Sequence, residues 1–565
     1  MLEVKTSQLS NRQELANFHT CKTLLNCYIR EFCQENRNLL SVDSEGRNFT
    51  LYFPTSGVTL SGMFSFYSAI GEHDYKSMYI QEEREIHCAE LVQWIVKELQ
   101  QQDSLVTDKT VQSFTNRVDN SYRNLALYLK QSAHAPISNY LSSEQSLLYG
   151  HPFHPFPKNT RGFTEDEVSM YCPELQPSFP LCYLAVKKTV FQEEWVSQGR
   201  QTKLHESVEE HALSVLASKR DEYEILPIHP WQYKHVQTVK AVRDYIAQEN
   251  IILLGSLGPI AYPTSSVRTV YVPDMKCNIK LSLDIQITNM MRNNNKEQMR
   301  RTLDASNYLL QHNCFDSHPH TEISYEEGVC TCQFEDDEVT KLFTIAYRPI
   351  EFDVTSTFVM SSLIESPALG EPARLFSLID GTQLEQWFRR YLEISLLSIV
   401  RVAEEKGIHF EAHSQNCLLT IKNGMPHTFI IRDLEGVSVN QEKVADTIDK
   451  TGLLFYEKEK AWARTSYYFI VNHLGSLIHA LAKSAQATEE YFWTIVRDVL
   501  TDEVKHHHNE YILHLLEAEG FYAKRNMMSC LAGVSETPSY VLVTNIMNKM
   551  GSGTSESSKS SKSVE

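Results

Sequence analysis

Four polar side chains bracket one predicted β-hairpin in the segment GIHFEAHSQNCLLTIKNGMPHTFIIRDLEG. They are Glu411, His413, Asn416 and Asp433. The Asn-Gly pair at 423–424 predicts a two-residue turn, because it stands between the apolar runs CLLTI and TFII. Folding about this turn brings two carboxylates and an amide oxygen to one strand end, which suits Mg²⁺ with water and phosphate as its other ligands. We therefore predict a nucleotide-metal site here; the alternative is a hairpin whose polar ends cap turns and face solvent.

A second segment, TSSVRTVYVPDMKCNIKLSLDIQITNMMR, combines cations with hydroxyl groups. The relevant residues are Ser265, Ser266, Arg268, Thr269, Lys280 and Arg292. Arginine offers a planar fork for phosphate or carboxylate oxygens, lysine a point charge, and hydroxyls further donors, which together match a triphosphate. The alternative is an ordinary charged strand face. No Walker loop or dinucleotide fingerprint occurs, so a glycine-rich phosphate cradle is not indicated.

The third segment, GHPFHPFPKNTRGF, places His151, His154, Lys158 and Arg161 in a proline-rich stretch that cannot form a regular helix. Because the prolines stiffen the backbone, the side chains should keep fixed relative positions, which favours recognition of a carboxylate. A zinc site is the alternative for the two histidines. It lacks further ligands at metal spacing, and the neighbouring Lys and Arg would repel a cation.

Short β-rich runs and amphipathic helices must position these motifs. The run NIKLSLDIQIT alternates apolar and polar residues, which predicts a strand with one buried face. Its apolar members are Ile279, Leu281, Leu283, Ile285 and Ile287. In the C-terminal part, QWFRRYLEISLLSIVRVAEEKG predicts a helix that ends at Gly407 as its C-cap.

These patterns predict an α+β protein of several domains. We expect a helical domain at 1–145, a β-containing domain with the phosphate and carboxylate motifs at 146–347, and a mainly helical domain with the metal-binding hairpin at 348–550. The segment 551–565 lacks large apolar residues apart from one valine, which predicts a disordered tail.

Composition narrows the class of partner. A formal net charge of −18 over 565 residues argues against a nucleic-acid surface, which needs clustered Lys and Arg. No signal peptide or uninterrupted apolar run predicts export or membrane insertion. The 12 cysteines are scattered without a second close pair, so we expect reduced thiols in the cytoplasm and a small-molecule partner.

Taken together, these segments resemble the NRPS-independent siderophore synthetases of the aerobactin synthetase type. The resemblance rests on the three motifs above, with LPIHPWQ and AKRNMMSCLAG, in the family's order over roughly 145–535. It implies a cupped-hand architecture with a helical thumb, β-containing fingers and a mainly helical palm, and a homodimer. It also implies an enzyme that adenylates a citrate-type carboxylate with Mg-ATP, releases pyrophosphate, and condenses the product with an amine or hydroxyl to build a siderophore.

The resemblance also implies roles for individual residues. By this resemblance, the phosphates would be bound by Ser266, Arg268, Thr269, Lys280 and Gln415. Mg²⁺ would be bound by Glu411, Asn416 and Asp433. The substrate carboxylate would be bound by His413, Arg292 and Lys524, together with His151 or His154. Lys158 and Arg161 of the proline-rich motif are further candidates for binding this carboxylate. Lys280 would stabilise the leaving pyrophosphate, and His413 is the best general base by residue type. The chain departs from the family around Arg348, where an Arg-Glu pair is expected, so Arg348 is left out of the predicted site.

Two other classes compete with this interpretation. A small-molecule kinase, releasing ADP, also uses an Asn followed by a strand ending in Asp, but it needs an Asp base where this chain has His413. An iron–sulfur reductase needs clustered C-terminal cysteines, and Cys530 stands alone there.

Overall fold

The structure is a computed structural model that describes residues 12–34, 36, 38–80, 84–131, 136–196, 204–447, 449–534 and 538–550. The predicted disordered tail, 551–565, lies outside these residues. Helices and strands alternate along the described chain, so the predicted α+β class is confirmed. Among the described helices, none has the length and apolar character needed to span a membrane.

The N-terminal region combines helices with an antiparallel sheet of five strands. Its helices are Arg12–Tyr28, the π-helix Ile29–Cys33, Cys88–Gln100 and Asp108–Gln131. Its strands, in sheet order, are Leu40–Val42, Asn48–Phe53, Val58–Phe66, Asp74–Ile80 and Arg84–Glu85. The structure corrects the expectation of a helical region, because NFTLYF alternates exposed and buried residues and pairs with the next strand across a short turn. The expected boundary at 145 stays a prediction.

An eight-stranded antiparallel sheet forms the middle of the chain. Its strands, in sheet order, are Phe191–Trp195, Gly328–Cys332, Ile345–Pro349, Cys277–Lys280, Thr269–Val272, Ile251–Pro263, Phe179–Lys187 and Tyr223–Ile228. The helices of this region are Tyr140–Glu144, Glu165–Tyr171, Glu206–Leu216, Pro230–Val236, Lys240–Ala247, Lys296–Gln311 and Asp337–Thr340. The sheet places Cys277–Lys280 and Thr269–Val272 side by side near its centre.

The alternating run NIKLSLDIQIT forms two strands in two sheets instead of one strand. Cys277–Lys280 belongs to the eight-stranded sheet, whereas Leu283–Ile287 lies between Met290–Arg292 and Thr160–Arg161 in a three-stranded sheet. The predicted apolar face is buried, but Lys280 and Ser282 of the polar face are also buried, at 3% and 2% exposure. A polar face that is withdrawn from water in this way must be satisfied by protein or ligand groups.

The C-terminal region contains the predicted hairpin and most of the remaining helices. A four-stranded sheet has the order Thr321–Ser324, Met425–Arg432, Cys417–Lys422 and Thr357–Val359, and a three-stranded sheet joins Ile408–His409, Ser438–Asn440 and Phe455–Tyr456. The helices are Met360–Ile364, Leu384–Leu392, the π-helix Glu393–Leu397, Ser398–Lys406, Lys458–Thr465, the π-helix Ser466–Leu474, Gly475–Ala485, Glu489–His506, Glu510–Glu517 and Asn526–Ala532. Asn423 and Gly424 have φ of 53° and 73°, as a two-residue hairpin turn requires, so this prediction is confirmed.

The C-terminal end returns to the N-terminal region. Strands Gly520–Lys524 and Tyr540–Thr544 pair, and the helix Asn526–Ala532 packs into the core of the N-terminal region. The carboxylate of Glu31 accepts hydrogen bonds from the backbone N–H groups of Met527 and Met528, at 2.8 and 3.0 Å. This connection fixes the segment that carries Lys524 against the π-helix Ile29–Cys33.

A buried histidine at the same junction should make stability depend on pH. The His479 ring lies 3.3 Å from Asp74 Oδ2 and 3.2 Å from Glu489 Oε1. Burial lowers its pKa, but Glu72 and these carboxylates outweigh burial and raise the pKa to about 9. The contribution of protonated His479 to the stability of the folded protein is therefore fully present below the unfolded-state pKa of about 6.5, and it is lost as pH rises through 9. We expect His479→Gln to remove an effect on the order of 3 kcal/mol from the pH dependence of urea unfolding between pH 6.5 and 9.5. An unchanged pH dependence in the variant would contradict this assignment.

Candidate active site

A buried lysine faced by two carboxylates forms the centre of the site. The ammonium of Lys280 lies 3.0 Å from Asp433 Oδ1 and 3.4 Å from Glu435 Oε2. The Lys280 side chain is 4% exposed, whereas Asp433 and Glu435 are 34% and 30% exposed. Burial opposes ionisation of Asp433, but Lys280 and then Arg348 outweigh it and hold the pKa of this carboxyl well below its usual range. The lysine therefore joins the eight-stranded sheet to the end of the hairpin.

The cations of the second motif surround this centre. Thr269 stands directly opposite Lys280 on the neighbouring strand. The guanidinium of Arg268 is buried and donates to the carbonyl of Arg292 at 3.1 Å and to Asn294 Oδ1 at 2.7 Å. Ser266 begins the same turn, and its Oγ accepts from the Thr269 N–H at 3.2 Å. These phosphate-binding candidates therefore lie together beside Lys280, and we call this set of residues the phosphate wall.

Three residues around this wall adopt left-handed backbone conformations that are unusual for their types. Val267 has φ of 65°, Thr288 of 54° and Asp433 of 64°. A positive φ is disfavoured for β-branched residues, and such strain concentrates at functional sites. Two of them are directly linked to candidate site residues, since Arg268 follows Val267 and Asp433 is itself a candidate ligand.

Arg292 comes from the strand that follows the Thr288 turn. Its Nη2 donates to Thr288 Oγ1 at 3.2 Å, and its buried Nε has no hydrogen-bond partner among the described residues. Burial first, and then Arg268, lowers the pKa of this guanidinium to about 10. The turn is held against the proline-rich motif, since Asn159 exchanges hydrogen bonds with Thr288 at 2.7 and 2.9 Å.

The predicted metal ligands lie around the loop that follows the hairpin. Asn416 Nδ2 donates to the carbonyl of Glu411 at 3.1 Å, which leaves its Oδ1 for another partner. Glu411 Oε2 lies 3.3 Å from Arg464 Nη2. These carboxylate and amide oxygens, with Asp433 and Glu435, are the hard donors that Mg²⁺ prefers. Within the described residues, no three His, Cys, Asp or Glu side chains gather in a way that could hold a metal ion.

The loop must pass Glu411 closely, which explains the glycine at 436. A Cβ on Gly436 would lie 2.3 Å from both Cβ and Oε2 of Glu411. We expect Gly436→Ala to displace the carboxylate and raise the Mg²⁺ concentration for half-maximal activity about tenfold or more. Gly452→Ala is the matched control, since its nearest contacts would be ordinary ones of 3.5 Å to Phe455. Equal Mg²⁺ dependence in the two variants would show that Glu411 does not serve the metal.

His413 and Lys524 form a second group of candidate residues, near Glu411. Burial lowers the pKa of His413, partly countered by Glu411 and Asp433, so its ring is neutral near pH 7. Lys524 Nζ donates to the Tyr468 hydroxyl at 2.8 Å, and burial lowers the pKa of this lysine also. Both residues therefore stand within electrostatic range of Glu411.

His151 and His154 occupy different environments. His154 is 8% exposed, its Nδ1 accepts from the Phe156 N–H at 3.3 Å, and its Nε2 lies 3.8 Å from Cys530 Sγ. His151 is exposed, and its pKa is lowered by close surrounding protein and then by His154 and His413. Its greater exposure makes His151 the better candidate for contact with a ligand.

Three other predicted residues contact different groups. The buried ammonium of Lys158 binds Glu174 Oε1 and the Leu147 carbonyl, both at 2.7 Å, and so stabilises the fold instead of facing the Lys280 centre. Arg161 is exposed on the short strand beside Gln286. Gln415 Nε2 donates to Ser265 Oγ at 3.3 Å, which places it at the edge of the phosphate wall.

The sequence did not predict the buried ion pair between Arg348 and Glu326. Arg348 donates from Nε to Glu326 Oε1 at 2.8 Å, and Glu326 Oε2 accepts from the Leu434 N–H at 3.1 Å. This pair braces the loop that carries Asp433. Glu435 was missed although it follows Asp433 by two residues, a spacing that lets both face one point across a tight turn.

Comparison with known proteins finds two regions that match family models. Residues 139–349 match the IucA / IucC family, and residues 385–538 match the family of the ferric iron reductase FhuF-like transporter. The chain is 29% identical to an L-2,3-diaminopropanoate–citrate ligase of Staphylococcus aureus, covering 94% of this chain and 96% of that protein. It is 25% identical to a spermidine-citrate ligase of Bacillus anthracis, covering 94% of this chain and 96% of that protein.

The fold is shared with solved structures. An ATP-bound aerobactin synthetase IucA from Klebsiella pneumoniae superposes with a TM-score of 0.84 at 21% identity, over 94% of this chain and 99% of that one. The petrobactin biosynthesis protein AsbB from Bacillus anthracis gives 0.82 at 16% identity, over 98% of both chains. The ordered motifs, the IucA / IucC match over residues 139–349 and these near full-length relatives together support the family of NRPS-independent siderophore synthetases for this chain.

Proposed function

We propose that the protein is an ATP-dependent ligase of siderophore biosynthesis that adenylates a citrate-type carboxylate and condenses it with an amine. The observation that carries this proposal is the gathering of basic side chains around the Asp433 and Glu411 carboxylates. Lys280, Arg268 and Arg292 lie together near Asp433, and His413 and Lys524 lie within electrostatic range of Glu411. Two anions, a triphosphate and a polycarboxylate, must be held together for this reaction, and a chain of net charge −18 concentrates cations here.

Glu411, Asn416 and Asp433, with Glu435 nearby, would hold Mg²⁺, which supplies Lewis-acid neutralisation of phosphate charge. Lys280 is positioned to stabilise the negative charge that develops on pyrophosphate. Arg292 would reduce the repulsion between the carboxylate and the α-phosphate, since its buried Nε remains available for an anion. Ser266, Arg268, Thr269 and Gln415 would orient the nucleotide.

The proposed reaction has two steps. A carboxylate oxygen attacks the α-phosphorus, the bond to the bridging oxygen breaks, and pyrophosphate leaves. The nitrogen of a neutral amine then attacks the acyl carbon, AMP leaves with the bonding electrons, and the amine proton passes to a base. His413 is suited to accept that proton, because burial keeps its ring neutral near pH 7. Positioning and electrostatics supply the catalysis.

The relatives suggest citrate as the acid and a diamino acid or polyamine as the acceptor, since those compounds appear in the names of the two ligases. A homodimer in the cytoplasm is the expected setting.

The proposal is tested with purified protein, Mg-ATP, citrate and a panel of amines that includes L-2,3-diaminopropanoate and spermidine. Mass spectrometry should detect an ATP-dependent citryl amide with at least one amine. Turnover of another carboxylic acid, with none of citrate, would contradict the substrate assignment.

A further inference from the structure

Arg30, in the N-terminal π-helix Ile29–Cys33, is a buried arginine with unused hydrogen-bonding capacity. The residue is 3% exposed, and its Nε and Nη2 atoms have no hydrogen-bond partner among the described residues. Its guanidinium carbon lies 3.8 Å from the centre of the Phe153 ring. Burying a charged group without hydrogen bonds is costly, so such a group points to a missing anionic partner.

The neighbouring acids do not supply that partner. Glu31 uses both carboxylate oxygens on the N–H groups of Met527 and Met528, and burial raises the pKa of Glu31 to about 7. The Glu72 carboxylate accepts from Ser476 Oγ at 2.7 Å. Arg30 Nε and Nη2 thus keep no hydrogen-bond partner among the described residues, although both acids lie near enough to act on its charge.

Arg30 lies against the proline-rich motif, over the ring of Phe153. Its charge acts on His151, as do His413 and Lys524, and it also acts on Tyr467. Phe153, which stacks on the guanidinium, stands between His151 and His154 in the proline-rich motif.

Two π-helical segments carry residues of this group. Ile29–Cys33 carries Arg30, and Ser466–Leu474 carries Tyr467 and Tyr468, which contact Lys524. Departures of this kind from α-helical geometry occur frequently at functional sites, because the extra residue redirects the side chains around it.

We propose that Arg30 is a further substrate-binding residue, which pairs with a carboxylate of the polycarboxylate other than the one that is activated. This inference rests on the proposed function and deepens it. The N-terminal region would then complete the acid pocket, beside His151, His413 and Lys524. A monocarboxylate could not satisfy both Arg30 and Arg292, so Arg30 would also select for acids with several carboxylates.

The test uses the full-length protein and measures binding of citrate by calorimetry and its KM in the AMP-forming assay. Arg30→Met should raise both the Kd and the KM for citrate about ten- to a hundredfold and leave the KM for ATP unchanged. Two analogues each lack one carboxylate: 3-hydroxy-3-methylglutarate lacks the central one, and citramalate lacks a terminal one. One of them should bind wild type and Arg30→Met equally, because it has lost the group that Arg30 contacts.

Arg117→Met is the matched control. Arg117 is also a buried arginine over a ring of the same motif, Phe156 at 4.7 Å, but its Nη2 donates to the Cys530 carbonyl at 2.9 Å. This variant should lose stability and keep its affinity for citrate. A conservative variant, Arg30→Lys, should restore part of the citrate affinity.

Unchanged citrate affinity in Arg30→Met would overturn the inference and leave the proposed function standing. So would an equal loss of affinity for citrate and for both analogues, since that result indicates a structural role. Failure of the wild-type protein to bind citrate and to form AMP would remove the proposed function, and with it the role of Arg30.

Discussion

Replacing Lys280 with methionine is expected to lower kcat/KM for citrate-dependent AMP formation by about a hundred- to a thousandfold. The ammonium is nearly buried between Asp433 and Glu435, so solvent cannot replace it, and its charge acts where pyrophosphate would carry the developing negative charge. Methionine keeps the length and apolar stem of the side chain. Steady-state kinetics with a pyrophosphate-coupled assay would measure the change.

The control for this variant is Lys22→Met. Lys22 also forms an ion pair with a buried acid, Asp74, but it lies on the first helix, Arg12–Tyr28, and is not one of the candidate site residues. We expect that variant to lose stability and retain kcat/KM. Full activity of Lys280→Met in a folded protein would remove the assignment of this lysine to the phosphates.

Replacing Asp433 with asparagine is expected to reduce the rate at least about a hundredfold and to raise the Mg²⁺ concentration needed for half-maximal activity. Asparagine removes the charge yet tolerates the left-handed backbone at φ 64°, whereas alanine would add backbone strain to the loss of the carboxylate. The change therefore isolates the charge. The rate is measured as a function of Mg²⁺ at saturating ATP and citrate.

Glu435→Gln is the companion variant. Glu435 follows Asp433 by two residues and also forms an ion pair with Lys280. It should show a smaller loss of rate. If the Asp433→Asn enzyme kept the wild-type dependence on Mg²⁺, the assignment of the metal to the end of the hairpin would be contradicted.

The local signals in the sequence predicted the hairpin and the gathering of the phosphate wall. Asn-Gly favours the left-handed backbone conformation that a two-residue hairpin turn requires. Strand pairing then determines which residues stand at the end of the hairpin. Thr269 and Lys280 come together because their strands are joined by a short turn and pair directly. Short-range geometry of this kind follows from spacing alone.

Other parts of the site depend on contacts between distant segments, which spacing does not reveal. The break at Leu281 and Ser282 that divides one alternating run between two sheets is imposed by tertiary packing. Arg348 departs from the family pattern, yet it pairs with Glu326, 22 residues away, and braces the Asp433 loop. Arg30 looks like an ordinary residue on an amphipathic helix until the fold brings it to Phe153.

The five-stranded N-terminal sheet was missed for a different reason. The two amphipathic runs on either side of it predicted helices, and the segment between them was included in the helical region. The strand Asn48–Phe53 nevertheless alternates exposed and buried residues in strict order. It pairs through six residues with the nine-residue strand Val58–Phe66, and such a pattern forms a stable sheet only when strands of this kind pair.

Identification of the nucleotide products tests the proposed reaction most directly. Purified protein would be incubated with Mg-ATP, citrate and hydroxylamine as a surrogate acceptor, and AMP, pyrophosphate and ADP would be quantified. The proposed cleavage at the α-phosphorus predicts citrate-dependent AMP and pyrophosphate in equal amounts. Citrate-dependent ADP and phosphate, without AMP, would place the attack at the γ-phosphorus and contradict the adenylating mechanism.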